Sequence, residues 1–186
     1  MKTFKDTKYG DLSGEIFNGD ISVSKDTQSL EGAPKIVKGD FDCSYCNRLN
    51  TLKHSPEIVE GKFICKRCKN IEYLDCKTKV VKGFFNCSEC NNIKSLQGAP
   101  EIIEGDFNCY WCDNLETLEG APKKCKAFNC VGCDKLKNLN PLLKCDIEDV
   151  IAEEDLLEDY YKKKTAVEKY GYEQAMEIFD TMDDLL

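Results

Sequence analysis

The chain has 186 residues, 41% of them apolar, and a formal net charge of −8. This is enough for one core plus an appendage, while no stretch approaches the ~18 unbroken apolar residues of a membrane span and the opening MKTFKDTKYGDLSGEIF lacks the apolar segment of a secretory signal. From Pro141 onward five Lys stand against fourteen Asp and Glu, a balance of −9 that leaves about +1 on the first 140 residues; a neutral body with an acidic tail argues against nucleic acid as a partner.

Residues 1–31 read as an N-terminal cap of short strands. Within it, GDLSGEIFNGDISVSKDTQSLE (10–31) is a worn copy of the repeat unit GAPKIVKGDFDCSYCNRLNTLK (32–53), with Val23 in the place of Cys43. Residues 32–140 hold five repeats. CSYC, CKRC, CSEC, CYWC and CVGC begin at Cys43, Cys65, Cys87, Cys109 and Cys130, at intervals of 22, 22, 22 and 21 residues. Their shared pattern is P-x-x-V-x-G-x-F-x-C-x-x-C-x-x-L-x-x-L, and the last copy is one residue short near Ala127. The F-x-C part alternates as a half-buried strand does. A unit this short cannot bury its own apolar face, so the repeats must stack into a solenoid.

Charge gives an independent register. Lys35, Glu57, Lys79, Glu101 and Lys123 form one column of equivalent positions, and Lys38, Glu60, Lys82, Glu104 and Lys126 form another. Both flip sign at every repeat, in phase. Equivalent residues on adjacent coils of a solenoid lie about 4.8 Å apart, where like charges repel and opposite charges attract. The alternation makes sense if each coil lies directly on the next.

Thirteen cysteines point to a reducing compartment with free thiols. Two readings of the paired motif stay open. C-x-x-C, eighteen residues, C-x-x-C falls within four-cysteine zinc spacing, with Cys43, Cys46, Cys65, Cys68, Cys87, Cys90, Cys109 and Cys112 as ligands. The alternative is an interior thiol ladder, since free cysteine behaves as a small buried hydrophobe and five copies always leave one pair over. Cys125 stands where other repeats have Val37, Val59, Val81 and Ile103, and so reads as core. His54 stands at a turn position that is Gly32, Gly98 or Gly120 elsewhere. Without a second histidine or a Ser-His pair, no hydrolytic constellation is available, and no enzyme is expected.

The repeat resembles a leucine-rich repeat, with Phe and the first Cys in leucine places and the second Cys in the Asn/Cys ladder place. The L-x-G-A-P link resembles the short bacterial type. GAPKIVKGDFDCS with LNTL after it is similar to leucine-rich-repeat-like proteins of large bacteriophages. The resemblance covers roughly residues 10–140. It implies a mainly β, LRR-like solenoid and a non-enzymatic protein-binding scaffold. Its phage character implies action in the cytoplasm of an infected bacterium on a host protein, such as a component of antiviral defence. Cys145 beside Asp146 resembles the nucleophile of ubiquitin-ligase effectors that carry bacterial-type repeats. The residues after it are too few for that catalytic domain.

Solenoids bind through positions that the repeat leaves free. Within the C-x-x-C motifs these are Ser44-Tyr45, Lys66-Arg67, Ser88-Glu89, Tyr110-Trp111 and Val131-Gly132, expected to stand outward at the end of the strand row. Tyr45, Arg67, Glu89, Tyr110 and Trp111 are the candidate protein-binding residues, several of them hot-spot types. Residues 141–186 read as an acidic helical cap. Asp146 is placed as the N-cap of a first helix carrying Ile147, Val150, Ile151, Leu157 and Tyr161, and Gly171 as its stop. A second helix carries Ala175, Ile178, Phe179, Met182, Leu185 and Leu186 on one face. These helices either close the open end of the solenoid or dock on a partner, a second copy of the chain included.

Overall fold

The computed structural model describes residues 1–183, and the side chains of Met182 and Asp183 are outside the description together with residues 184–186. The expected positions of Met182, Leu185 and Leu186 therefore lie outside the described side chains.

Each coil contributes two short strands. They are β1 (Ile16–Phe17) and β2 (Ile21–Ser22), β3 (Ile36–Val37) and β4 (Phe41–Asp42), β5 (Ile58–Val59) and β6 (Phe63–Ile64), β7 (Val80–Val81) and β8 (Phe85–Asn86), then β9 (Ile102–Ile103) and β10 (Phe107–Asn108). A single longer strand, β11 (Lys124–Asn129), forms the next coil, and β12 (Asp146–Ile151) comes after it. All pairings between these strands are parallel. One ladder runs Ile36, Ile58, Val80, Ile102 and the other Phe41, Phe63, Phe85, Phe107, Phe128. The fold is a mainly β solenoid of about six turns, and the worn N-terminal copy joins in register through Ile16 on Ile36 and Ile21 on Phe41.

Stacking turns each inward-facing repeat position into a buried column. Val37, Val59, Val81 and Ile103 are fully buried, as are Leu52, Leu74, Leu96, Leu118 and Leu139. Phenyl rings form a column from Phe41 to Phe128 with centroid separations of 5.3, 5.2, 5.3 and 4.9 Å, the first two pairs edge to face and the last two stacked, within the range of favourable aromatic pairs. The pattern glycines of the first four repeats, Gly39, Gly61, Gly83 and Gly105, sit where neighbouring coils approach closely. A Cβ on Gly83 would stand 2.7 Å from the carbonyl of Gly61, whose oxygen accepts from the Gly83 N–H at 2.9 Å. Ion pairs join the alternating columns: Lys35–Glu57 at 3.7 Å, Lys79–Glu101 at 3.2 Å, Lys123–Glu101 at 2.7 Å and Lys82–Glu60 at 3.1 Å.

Where the sequence is one residue short, the bend between the two ladders disappears and β11 runs straight through both, pairing Lys124 with Ile102 and Phe128 with Phe107. The next segment copies this shortened spacing. Ile147 pairs with Cys125 and Val150 with Phe128, so residues 146–151 are strand and not the first turn of a helix. Asp146 caps no helix: its N–H donates to the Lys123 carbonyl at 2.8 Å. Ladder pairing and two β-branched inward residues outweigh the helical spacing of Ile147, Val150 and Ile151. Strand pairing thus continues past the expected boundary at residue 140.

Helix α1 (Glu154–Tyr170) starts after that strand and ends at Gly171. Tyr160, Leu156 and Leu157 pack against the core, and Tyr161, expected inward, is exposed. Helix α2 (Tyr172–Asp183) packs on α1 and buries Ala175 and Phe179, while Ile178 is exposed. Helix α1 thus lies against the C-terminal part of the core, and α2 lies on α1. At the other end Thr3 bridges Ser29, and Phe4 is fully buried. Among the described residues no helix is long and apolar enough to cross a membrane.

Candidate functional site

The residues inside the C-x-x-C motifs lie just past the end of the second strand row and are turn residues. The second residue of each pair adopts the left-handed conformation, with φ of 62° at Tyr45, 59° at Arg67, 58° at Glu89, 55° at Trp111 and 70° at Gly132. Side chains other than Gly, Asn and Asp seldom enter that region, at a cost of roughly 1–2 kcal/mol each. The ladder enforces it, because each N–H donates to a carbonyl one coil on: Tyr45 to Lys66, Arg67 to Ser88, Glu89 to Tyr110 and Trp111 to Val131, at 2.8, 3.0, 3.0 and 2.8 Å. At Gly132 the chain one coil on is already entering α1, and the Glu153 carboxylate accepts the N–H at 3.0 Å in place of a carbonyl.

This turn projects one side chain per coil into a row. Tyr45 and Trp111 are 40% and 55% exposed and stand at the ends of the row, with Arg67 and Glu89 between them. The first residue of each pair lies lower, and Ser88 is buried instead of outward-facing. Arg67 donates to Glu89 and reaches the Tyr45 hydroxyl at 3.4 Å. Lys66 pairs with Glu89 at 2.9 Å and donates to the Tyr110 hydroxyl at 3.3 Å. The Tyr110 and Trp111 rings meet edge to face at 5.5 Å. The Arg67 guanidinium, with Lys66 behind it, holds the Glu89 carboxyl below its ordinary range. All five candidate residues are thus brought together.

Sequence reading missed the second wall of this site. A groove runs beside the row, lined by Tyr45, Arg67, Glu89 and Trp111 on one side and Asn47, Lys69, Asn91 and Asp113 on the other. Each of the missed residues comes directly after the second cysteine of its repeat. That fixed offset from the variable pair is the signal that would have found them.

The cysteines form ladders. The thiol of the second cysteine in each motif donates to a backbone carbonyl of the preceding coil: Cys46 to Ser24 at 3.5 Å, Cys68 to Cys43 at 3.1 Å, Cys90 to Cys65 at 3.1 Å, Cys112 to Cys87 at 3.4 Å and Cys133 to Cys109 at 3.3 Å. Among the described residues no group of three or more His, Cys, Asp or Glu side chains is placed to hold a metal ion. One thiol of every motif is turned toward a carbonyl of the neighbouring coil. Burial raises the Cys145 thiol, the wrong direction for a nucleophile, and His54 is an exposed turn residue. Set against protein-family models, curated proteins and solved structures, the chain has no match.

Proposed function

We propose that the chain is a non-enzymatic interaction scaffold that binds a partner protein along the turn row from Tyr45 to Trp111. The observation that carries this reading is four consecutive coils with a non-glycine residue in the left-handed turn. Gly132 occupies the same turn on the last coil, so Tyr, Arg, Glu and Trp stand there against their own backbone preference. Strain held at a surface position motivates a functional reading of that surface. Tyr45, Arg67 and Trp111 are also hot-spot types, and contacts along the row hold the side chains, which lowers the entropy lost on binding.

The resemblance to leucine-rich-repeat-like phage proteins extends the proposal to a host protein as the partner. The experiment is capture from a bacterial lysate with the intact chain, repeated with Trp111→Ala and Arg67→Ala. A specific partner lost in both variants, with circular dichroism unchanged, supports the row. Retention of that partner by both variants overturns it.

A further inference from the structure

We infer that the groove beside the turn row takes an extended peptide segment carrying an acidic residue and, three positions along, a basic one. This rests on the reading of the row as a binding surface and adds the chemistry of the partner.

Charge along the groove is polarised. Lys66, Arg67 and Lys69 all belong to one coil, and the row supplies a single carboxylate, Glu89, to balance them. That coil keeps a surplus of positive charge. Two coils further on, Trp111 presents an indole that is 55% exposed, more than any other aromatic ring among the described residues. Beside it Asp113 lines the opposite wall, its carboxylate accepting from a neutral amide, Asn91 Nδ2, at 2.6 Å. An indole face next to a carboxylate suits a lysine or arginine side chain, by cation–π attraction and ion pairing together. The cationic coil suits a carboxylate.

Two coil steps of about 4.8 Å separate these places by about 10 Å, and an extended chain advances about 3.3 Å per residue. Acid and base three residues apart therefore reach both. A uniformly anionic strand such as nucleic acid meets Asp113 at the far end and is disfavoured.

The protein reports on its own groove, because Trp111 is the sole tryptophan. Intact protein is titrated with unstructured twelve-residue peptides of the forms acid-x-x-base, acid-x-x-acid and base-x-x-base, and with oligothymidylate, while tryptophan emission is recorded. The expected result is saturable binding of the acid-x-x-base peptide, at least tenfold tighter than either like-charged peptide and weakened by salt. In Asp113→Lys the preference should pass to the acid-x-x-acid peptide. Equal affinity for all three peptides, an unaltered preference in Asp113→Lys, tightest binding of oligothymidylate, or no emission change with any peptide to 1 mM each overturns the inference. If lysate capture still depends on Trp111 while the peptides show no charge preference, the inference falls and the row stands. If capture is indifferent to the row as well, both fall.

Discussion

Two backbone demands decide which residues this repeat tolerates. The first is the left-handed turn. Tyr45→Ala removes the side chain but leaves a Cβ at φ 62°, whereas Tyr45→Gly removes both. The glycine variant should be more stable than the alanine variant by about 1 kcal/mol, measured by urea unfolding, and both should lose partner binding equally. Equal stability of the two would mean that the turn is unstrained. The second demand is the close approach at the repeat glycine. Gly83→Ala sets a methyl against the Gly61 carbonyl, backbone that cannot swing aside. A loss of about 1–3 kcal/mol is expected, visible as a lower urea midpoint. At Gly132 the demands merge: φ is positive and the Trp111 ring lies over the α-carbon. That glycine is where the row makes room for its largest side chain.

At the level of the coil, register is held by columns. Glu101 lies between Lys79 and Lys123, at 3.2 and 2.7 Å, so Glu101→Lys would set three like charges in a line. The melting temperature should fall at low ionic strength, and 0.5 M NaCl should erase most of the difference because these side chains are exposed. Adding Lys79→Glu and Lys123→Glu to it should recover part of the loss, the rest remaining because residue 79 neighbours Glu57 on the preceding coil. A triple variant that melts no higher than Glu101→Lys would remove the column as a register device. These columns were legible in the sequence because one position maps to one place on every coil, and the same holds for Phe41 to Phe128. The turn row was legible in its residues but not in its backbone, since nothing in C-x-x-C distinguishes a strand end from a left-handed turn. Asp146–Ile151 resists sequence reading because Ile147 and Val150 are three apart, which is helical spacing and also the spacing of Cys125 and Phe128 in the shortened coil. The neighbouring strand, not the segment itself, decides between them. The acids Asp146, Glu148 and Asp149, all exposed on this last strand, also discourage further strand addition at the edge.

The whole molecule is one continuous core lined with thiols, and that makes its stability depend on alkaline pH. Chelation tests the metal-held alternative: if the thiols serve carbonyls, a strong chelator should leave the melting temperature unchanged, and a drop would restore a zinc-bound core. Burial raises the thiols of Cys65, Cys87, Cys90, Cys109 and Cys130, and pushes Cys46, Cys112 and Cys125 up to about 12. In the unfolded chain the same groups titrate near about 8.5. Below that pH both states keep their protons and the thiols contribute no pH dependence. Above it the unfolded chain releases protons that the folded chain holds, so the unfolded state binds fewer and stability falls as pH rises, by about 1.4 kcal/mol per thiol per pH unit. Eight such groups together exceed about 10 kcal/mol per unit, comparable to the whole stability of a domain of this size. Cooperative unfolding is therefore expected between about pH 9 and 10.5 at 25 °C, read by far-ultraviolet circular dichroism, with thiolate absorbance at about 240 nm rising in the same step. Cys125→Val tests the assignment one group at a time. It restores the residue type that other coils carry in that column and should lower the slope of stability against pH by one thiol's share while leaving stability at about pH 7 nearly unchanged. Thiolate absorbance that rises well before the circular dichroism changes would mean that the thiols ionise within the folded coils.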